Sequence, residues 1–136
     1  MRQIKFRAWD NVKNKIYYLG EESDVVFSFD SNGFVAEDIT EHDWEFKKLE
    51  HLIYMQYTGL KDKDGAEIYE GDIYRYIVEI NFDGVQRELE YTCEIHFLDG
   101  VFFAGDELLI HALDNDSESE IIGNIYENPE LLEENK

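Results

Sequence analysis

The stretch Leu52-Ile53-Tyr54-Met55-Gln56-Tyr57-Thr58-Gly59-Leu60-Lys61-Asp62-Lys63-Asp64-Gly65-Ala66-Glu67-Ile68-Tyr69-Glu70-Gly71-Asp72-Ile73 sets short apolar and aromatic runs between three glycines. Leu52 to Thr58, rich in Ile, Tyr and Met, reads as a strand ending at Gly59. Asp62-Lys63-Asp64-Gly65 reads as a tight type I′ hairpin turn, because Asp and Gly tolerate the positive φ it needs. Ile68-Tyr69 is the return strand. Glu70-Gly71-Asp72 then turns the chain into the β-prone run Ile73 to Phe82.

The same grammar continues toward the C-terminus. Asp83-Gly84, Asp99-Gly100 and Gly105-Asp106 are further turns. Between them Tyr91, Cys93, Ile95 and Phe97 fall on one strand face, with Glu94 and His96 opposite. Asp114 to Ser119 is a polar loop, and Glu120 to Tyr126 closes the series of strands. Asn128 and Pro129 suit the cap and first position of a short helix that Leu131 and Leu132 dock. The fold expected is mainly β, with a small SH3-like or partly open barrel in the C-terminal half and a short C-terminal helix.

Toward the N-terminus, Ile4, Phe6 and Ala8 alternate with Lys5, Arg7 and Trp9, the pattern of a half-buried strand. A polar turn over Asp10 to Lys15 leads into Ile16-Tyr17-Tyr18-Leu19. Val25 to Phe29 and Phe34 to Ile39 flank Asn32-Gly33 as a second hairpin. Residues 40–51 read either as a helix that Thr40 caps or as an irregular link. The division expected is an N-terminal β-hairpin lobe over 1–50 and a small β-barrel domain with the C-terminal helix over 51–136.

Charge narrows the partners. The 136 residues carry 32 acidic against 12 basic side chains, a net −20. Such a field keeps the molecule soluble and repels polyanions, which argues against direct nucleic-acid binding and against anionic membrane. Residues 1–20 are the exception: Arg2, Lys5, Arg7, Lys13 and Lys15 face only Asp10, giving net +4, while the rest sums to −24. Internal complementarity between this hairpin and acidic surface explains that asymmetry better than a nucleic-acid patch does. No apolar run approaches the roughly 20 residues of a membrane span. The start Met1-Arg2-Gln3-Ile4-Lys5 runs straight into alternating sequence, so a cytoplasmic location is expected.

No reaction chemistry stands out. Asp62, Asp64 and Glu67 suggest a calcium loop, but setting Asp64-Gly65 at loop positions five and six puts Leu60 at one and Gly71 at twelve. His42, His51, His96 and His111 show no i,i+4 pair, and the single Cys93 cannot build a thiolate cluster. His111, between Ile110 and Ala112, is the histidine that reads as partly buried. Cys93 on an apolar strand face reads as inert. No serine lies in a nucleophile elbow, and the glycines fall between strands rather than at a strand-to-helix step. The expectation is therefore no enzyme, with no catalytic, cofactor-binding or metal residues and no cofactor.

Three segments together resemble the YopX family of small phage and prophage proteins of Gram-positive bacteria. They are Ile4-Lys5-Phe6-Arg7-Ala8-Trp9-Asp10, then Met55 to Gly65 running on through Glu67 to Ile73, and Ile122-Gly123-Asn124-Ile125-Tyr126-Glu127-Asn128-Pro129-Glu130-Leu131-Leu132. The resemblance implies a phage or prophage context and a mainly β fold with a small barrel, and it transfers no reaction onto any residue. With the charge, it leads to the expectation of a non-enzymatic accessory protein acting as an intracellular protein-binding module, through an unidentified partner or self-association. Alternatives are a nucleic-acid-associated protein using the basic N-terminal hairpin, and an acidic DNA-mimic inhibitor.

With so few cations, mutual repulsion of carboxylates dominates the surface. Adding moderate sodium chloride at neutral pH should raise the melting temperature in a thermal scan; an unchanged or lowered value would contradict this.

Overall fold

In a computed structural model the described residues are 3–40, 46–114 and 118–133. The chain forms two compact units, Lys5–Met55 and Gln56–Lys136 together with Met1–Ile4. It is mainly β, with two short helices.

In the first unit, β1 (Phe6–Asp10) and β2 (Lys15–Tyr18) form an antiparallel hairpin with Ala8 opposite Tyr17 and Asp10 opposite Lys15. β3 (Val25–Asp30), β4 (Gly33–Asp38) and β5 (Lys47–Lys48) form a three-stranded antiparallel sheet. Ala8, Tyr17, Val25, Ala36, Leu49 and Leu52 make the core, with Leu19, Phe27 and Tyr54 packed on it. Burial of each large aliphatic there contributes roughly 1.5–3 kcal/mol. Phe34 stacks on Tyr54 at 4.6 Å and meets Phe6 edge-on at 4.6 Å. The sequence pattern predicts a half-buried β1, yet Arg7, Ala8, Trp9 and Asp10 are all buried, so both faces are covered. Alternation misleads here because two of the polar side chains point inward. Of the proposed helix over 40–51, residues 41–45 lie outside the described residues; Lys47–Lys48 is strand.

β6 (Ile53–Lys61) begins in the first unit and ends in the second. There it pairs with β7 (Glu67–Tyr69), with Tyr57 opposite Tyr69 and Lys61 opposite Glu67. The register shifts between these pairs, and Gly59 sits at φ +86°. Gly59 therefore bulges the strand and does not end it.

The Asp62–Gly65 turn also departs from expectation. Gly65 is at φ +83°, whereas Asp64 is absent from the positive-φ residues, so this is not a type I′ turn. The Gly65 N–H donates to the Asp62 carbonyl (3.0 Å) and the Asp62 N–H to the Ala66 carbonyl (2.9 Å), a four-residue turn closed by a left-handed glycine. The cause is the buried Asp62 carboxylate, which accepts the N–H groups of Asp64 (3.0 Å), Ala66 (2.8 Å) and, across the unit, Ile121 (3.2 Å). Type I′ geometry instead appears at Asp83-Gly84 and Asp99-Gly100, where both residues have positive φ.

β8 (Asp72–Phe82), β9 (Val85–Leu98), β10 (Val101–Ala104) and β11 (Glu107–Leu108) precede α1 (Leu109–Asp114), β12 (Glu120–Asn124) and α2 (Glu130–Glu133). The five strands order as β11-β10-β9-β8-β12. Ile68, Tyr74, Ile95 and Ala104 form the core with Leu109 and Ala112 of α1, a helix too short to leave a periodic signature. Asn128 does not cap α2 with its side chain. Its carboxamide oxygen accepts the Asn124 N–H (3.3 Å), while the Leu131 N–H takes the Asn128 backbone carbonyl (3.1 Å).

These turns give a mutational signature. Gly65→Ala puts a Cβ at positive φ and should cost about 1 kcal/mol. Asp62→Ala strands three backbone donors and should cost about 2 kcal/mol. Asp64→Ala, on an exposed side chain, should stay within about 0.5 kcal/mol. Urea unfolding reads all three, and a larger loss at Asp64 than at Asp62 would contradict the turn as described.

Candidate functional site

Two features on different units combine exposure with chemistry. The first is built around Asp10, at the end of β1. Its carboxylate is buried and has four donors. Oδ1 accepts the N–H groups of Val12 (2.9 Å) and Lys13 (3.1 Å) and His51 Nε2 (2.7 Å), while Oδ2 accepts the Tyr17 hydroxyl (2.9 Å). Burial alone pushes the Asp10 pKa up and is the largest single influence. The Lys13 N–H, His51, Tyr17 and Val12 together outweigh it and hold the group at about 2. The magnitudes agree: desolvating a carboxylate costs several kcal/mol, and each hydrogen bond to a charged group returns about 1.5–3 kcal/mol. Burial, and then the bond to Asp10, push the Tyr17 hydroxyl well above the ordinary phenol range.

An ionised carboxylate only accepts, so His51 carries a proton on Nε2 and Nδ1 is its uncommitted nitrogen. A cavity of about 280 Å³ opens beside this pair, lined by Asp10, Val12, Lys13, Asp38, Lys47, Leu49 and His51. Asp38 is occupied already: the Thr40 hydroxyl and N–H donate to it, and Lys13 Nζ lies 3.5 Å away. The Thr40 hydroxyl, then its N–H, with Lys13 behind them, draw the Asp38 pKa down.

The second feature is the outer part of the β8–β9 hairpin. β12 pairs with β8 only over Asp72–Arg75, and β10 pairs with β9 only over Ile95–Leu98. The intervening ladder runs on without a third strand, from Tyr76 opposite Tyr91 to Phe82 opposite Val85. Strand alternation puts Tyr76, Val78, Ile80 and Phe82 on one face with Tyr91, Leu89, Arg87 and Val85. Ile77, Glu79, Asn81, Gln86, Glu88 and Glu90 take the other. The apolar face continues the Tyr74–Tyr76–Tyr91 ring stack, with centroids at 5.8 and 5.4 Å, out to a tip where Phe82 is 73% and Val85 53% exposed.

The residues singled out from sequence fare differently. Arg7 is buried, Lys13 pairs with Asp38, and Lys15 lies 3.5 Å from Glu22 and over the Tyr17 ring. Arg2 and His42 lie outside the described residues. His111 is exposed and not partly buried, because the turn of α1 sends Leu109 and Ala112 inward and His111 out. His96 stacks on Phe103. Burial, then the carboxylates of Glu107 and Asp106, push the Cys93 thiol up to about 12. Asp62 serves backbone donors, and no metal-ligating cluster occurs among the described residues. His51 was missed: 41 residues separate it from Asp10, and no local pattern announces the pair. The ribbon was legible only as a long strand run, since its missing neighbours are a property of topology.

Geometry thus defines a class, a two-unit mainly β protein with a buried-acid cavity and a projecting apolar hairpin. The chain belongs to the YopX family, whose model, described as YopX protein, matches residues 5–133. It is 28% identical over 141 residues to the SPbeta prophage-derived uncharacterized protein YopX of Bacillus subtilis (strain 168), covering 94% of this chain and 95% of that one. Protein EF1440 from Enterococcus faecalis, known from a crystal structure, is 29% identical. It superposes with a TM-score of 0.64 over 97% of this chain and 99% of its own. No helix among the described residues is long and apolar enough to cross a membrane.

The Asp10 network predicts a pH signature. Its folded pKa of about 2 lies below the ordinary 3.8, so the stabilisation is complete above about pH 5 and is lost as pH falls through 2. Asp10→Asn should lose about 2 kcal/mol at neutral pH. Chemical denaturation across pH 2–7 should show the gap to the parent closing in acid; a constant gap would contradict an ionised Asp10.

Proposed function

We propose that this chain is a non-enzymatic, intracellular protein-binding module of phage or prophage origin, with the outer β8–β9 ribbon as its docking arm. The observation behind this reading is the largely apolar face of a two-stranded ribbon, interrupted by Arg87 alone, that ends at exposed Phe82 and Val85. A two-stranded ribbon is marginal alone in water, and an aromatic face left uncovered marks an interaction surface. The prophage name of the B. subtilis relative supports the origin. The finer fold reading is that the C-terminal half is an SH3-like or partly open barrel, with the ribbon as its longest hairpin.

Charge selects the kind of partner. Residues 77–90 carry Glu79, Asp83, Glu88 and Glu90 against Arg87, net −3, on a chain of net −20. A second copy would bring like charges together, whereas an apolar protein surface edged by Lys and Arg complements both the face and its rim. Burial of Arg7 and the ion pairs of Lys13 and Lys15 favour this over a nucleic-acid surface on the N-terminal hairpin.

Phe82→Ser/Val85→Ser removes the tip without touching the core. Capture from a lysate of the lysogenic host should recover a basic protein with the parent chain. The double variant should lose at least tenfold of it, and added salt should weaken the capture. Equal recovery by both proteins, or recovery of none, would overturn the proposal.

A further inference from the structure

The Asp10 cavity has an imbalance that the charge of the whole chain conceals. Both of its carboxylates are spent: Asp10 on four donors, Asp38 on Thr40 and Lys13. Two of its donor groups are not. Among the described residues Lys47 makes no ion pair, and His51 is engaged through Nε2 alone, whereas Lys13 is shared with Asp38 at 3.5 Å. Lys47 is held at the rim because it pairs opposite Asp38 on the β4–β5 ladder. His51 lines the cavity and makes the shortest of the bonds to Asp10, so its ring has less freedom to lose on binding.

We propose that this cavity binds a phosphate-bearing small molecule, its oxyanion held by Lys47 and His51 and its organic part against Val12 and Leu49. A phosphate supplies three acceptor oxygens for these donors, and charge-assisted bonds of this kind are about twice as strong as neutral ones. At about 280 Å³ the cavity is near the lower end of ligand pockets, yet holds more than a bare phosphate, and two of its lining side chains are apolar. The site is independent of the ribbon. With Nε2–H kept on Asp10, Nδ1 is the nitrogen His51 has left for a ligand.

The test is calorimetry at constant ionic strength, with the His51 ring signals followed by NMR, using inorganic phosphate, O-phosphoserine, acetate and chloride as probes. Saturable binding of inorganic phosphate is expected, with tighter binding of phosphoserine and a shift of the His51 ring. Lys47→Met and His51→Gln should each weaken binding at least tenfold, while Lys63→Met, in the Asp62–Gly65 turn, should leave it unchanged. Lys47 is exposed, and an unchanged melting temperature checks that its variant folds. The proposal is overturned if phosphate produces no saturable shift, if Lys47→Met binds as the parent does, or if acetate binds as tightly as phosphate.

Discussion

The ladder between β8 and β9 is the constraint on which the second unit depends. It runs in one register from Ile73 opposite Glu94 to Phe82 opposite Val85. At its root Ile73, Tyr74 and Ile95 are wholly buried, so a slip of one residue would turn Tyr74 and Ile95 out of the core. That penalty fixes the register over the whole hairpin, including the outer half where no neighbouring strand helps. The Asp83-Gly84 turn, with both residues at positive φ, locks the far end. The exposed apolar face is therefore held in place from a distance.

The first unit is organised by a different force. Asp10 is a buried carboxylate, and it is stable there because its partners come from three places at once: the following turn, the facing strand and residue 51. It ties β1, β2 and the segment before β6 together in a way that an apolar residue could not specify. The same device recurs with Asp62, which binds its own turn and the start of β12. In a chain of net −20, these two acids are inside the fold and directional, whereas most of the others meet solvent.

Much of this architecture was readable from residues. Asp-Gly at 83–84 and 99–100 placed hairpin turns correctly because a two-residue loop with positive φ has few other solutions. Asp64-Gly65 looked identical and was not, since the carboxylate two residues earlier captured the local N–H groups and selected another turn. Gly59 looked like a strand end and proved a bulge, because pairing resumed at Lys61. α1 was invisible: six residues give the helical period too little length. The Asp10–His51 pair and the unaccompanied ribbon were illegible for one reason. Both depend on which distant segments come together, and periodicity carries no such information.

In the isolated protein the outer ribbon's apolar face is bare while its register is held from the root. Residue-resolved amide hydrogen exchange of the dilute, monomeric chain measures this directly. The cross-strand amides near Ile73, Tyr74 and Ile95 should be strongly protected. Protection should fall by orders of magnitude toward Ile80 to Arg87, where only the two-stranded ladder resists opening. Uniformly high protection out to Phe82 and Val85 would mean that the face is covered in the free protein, and would contradict the claim.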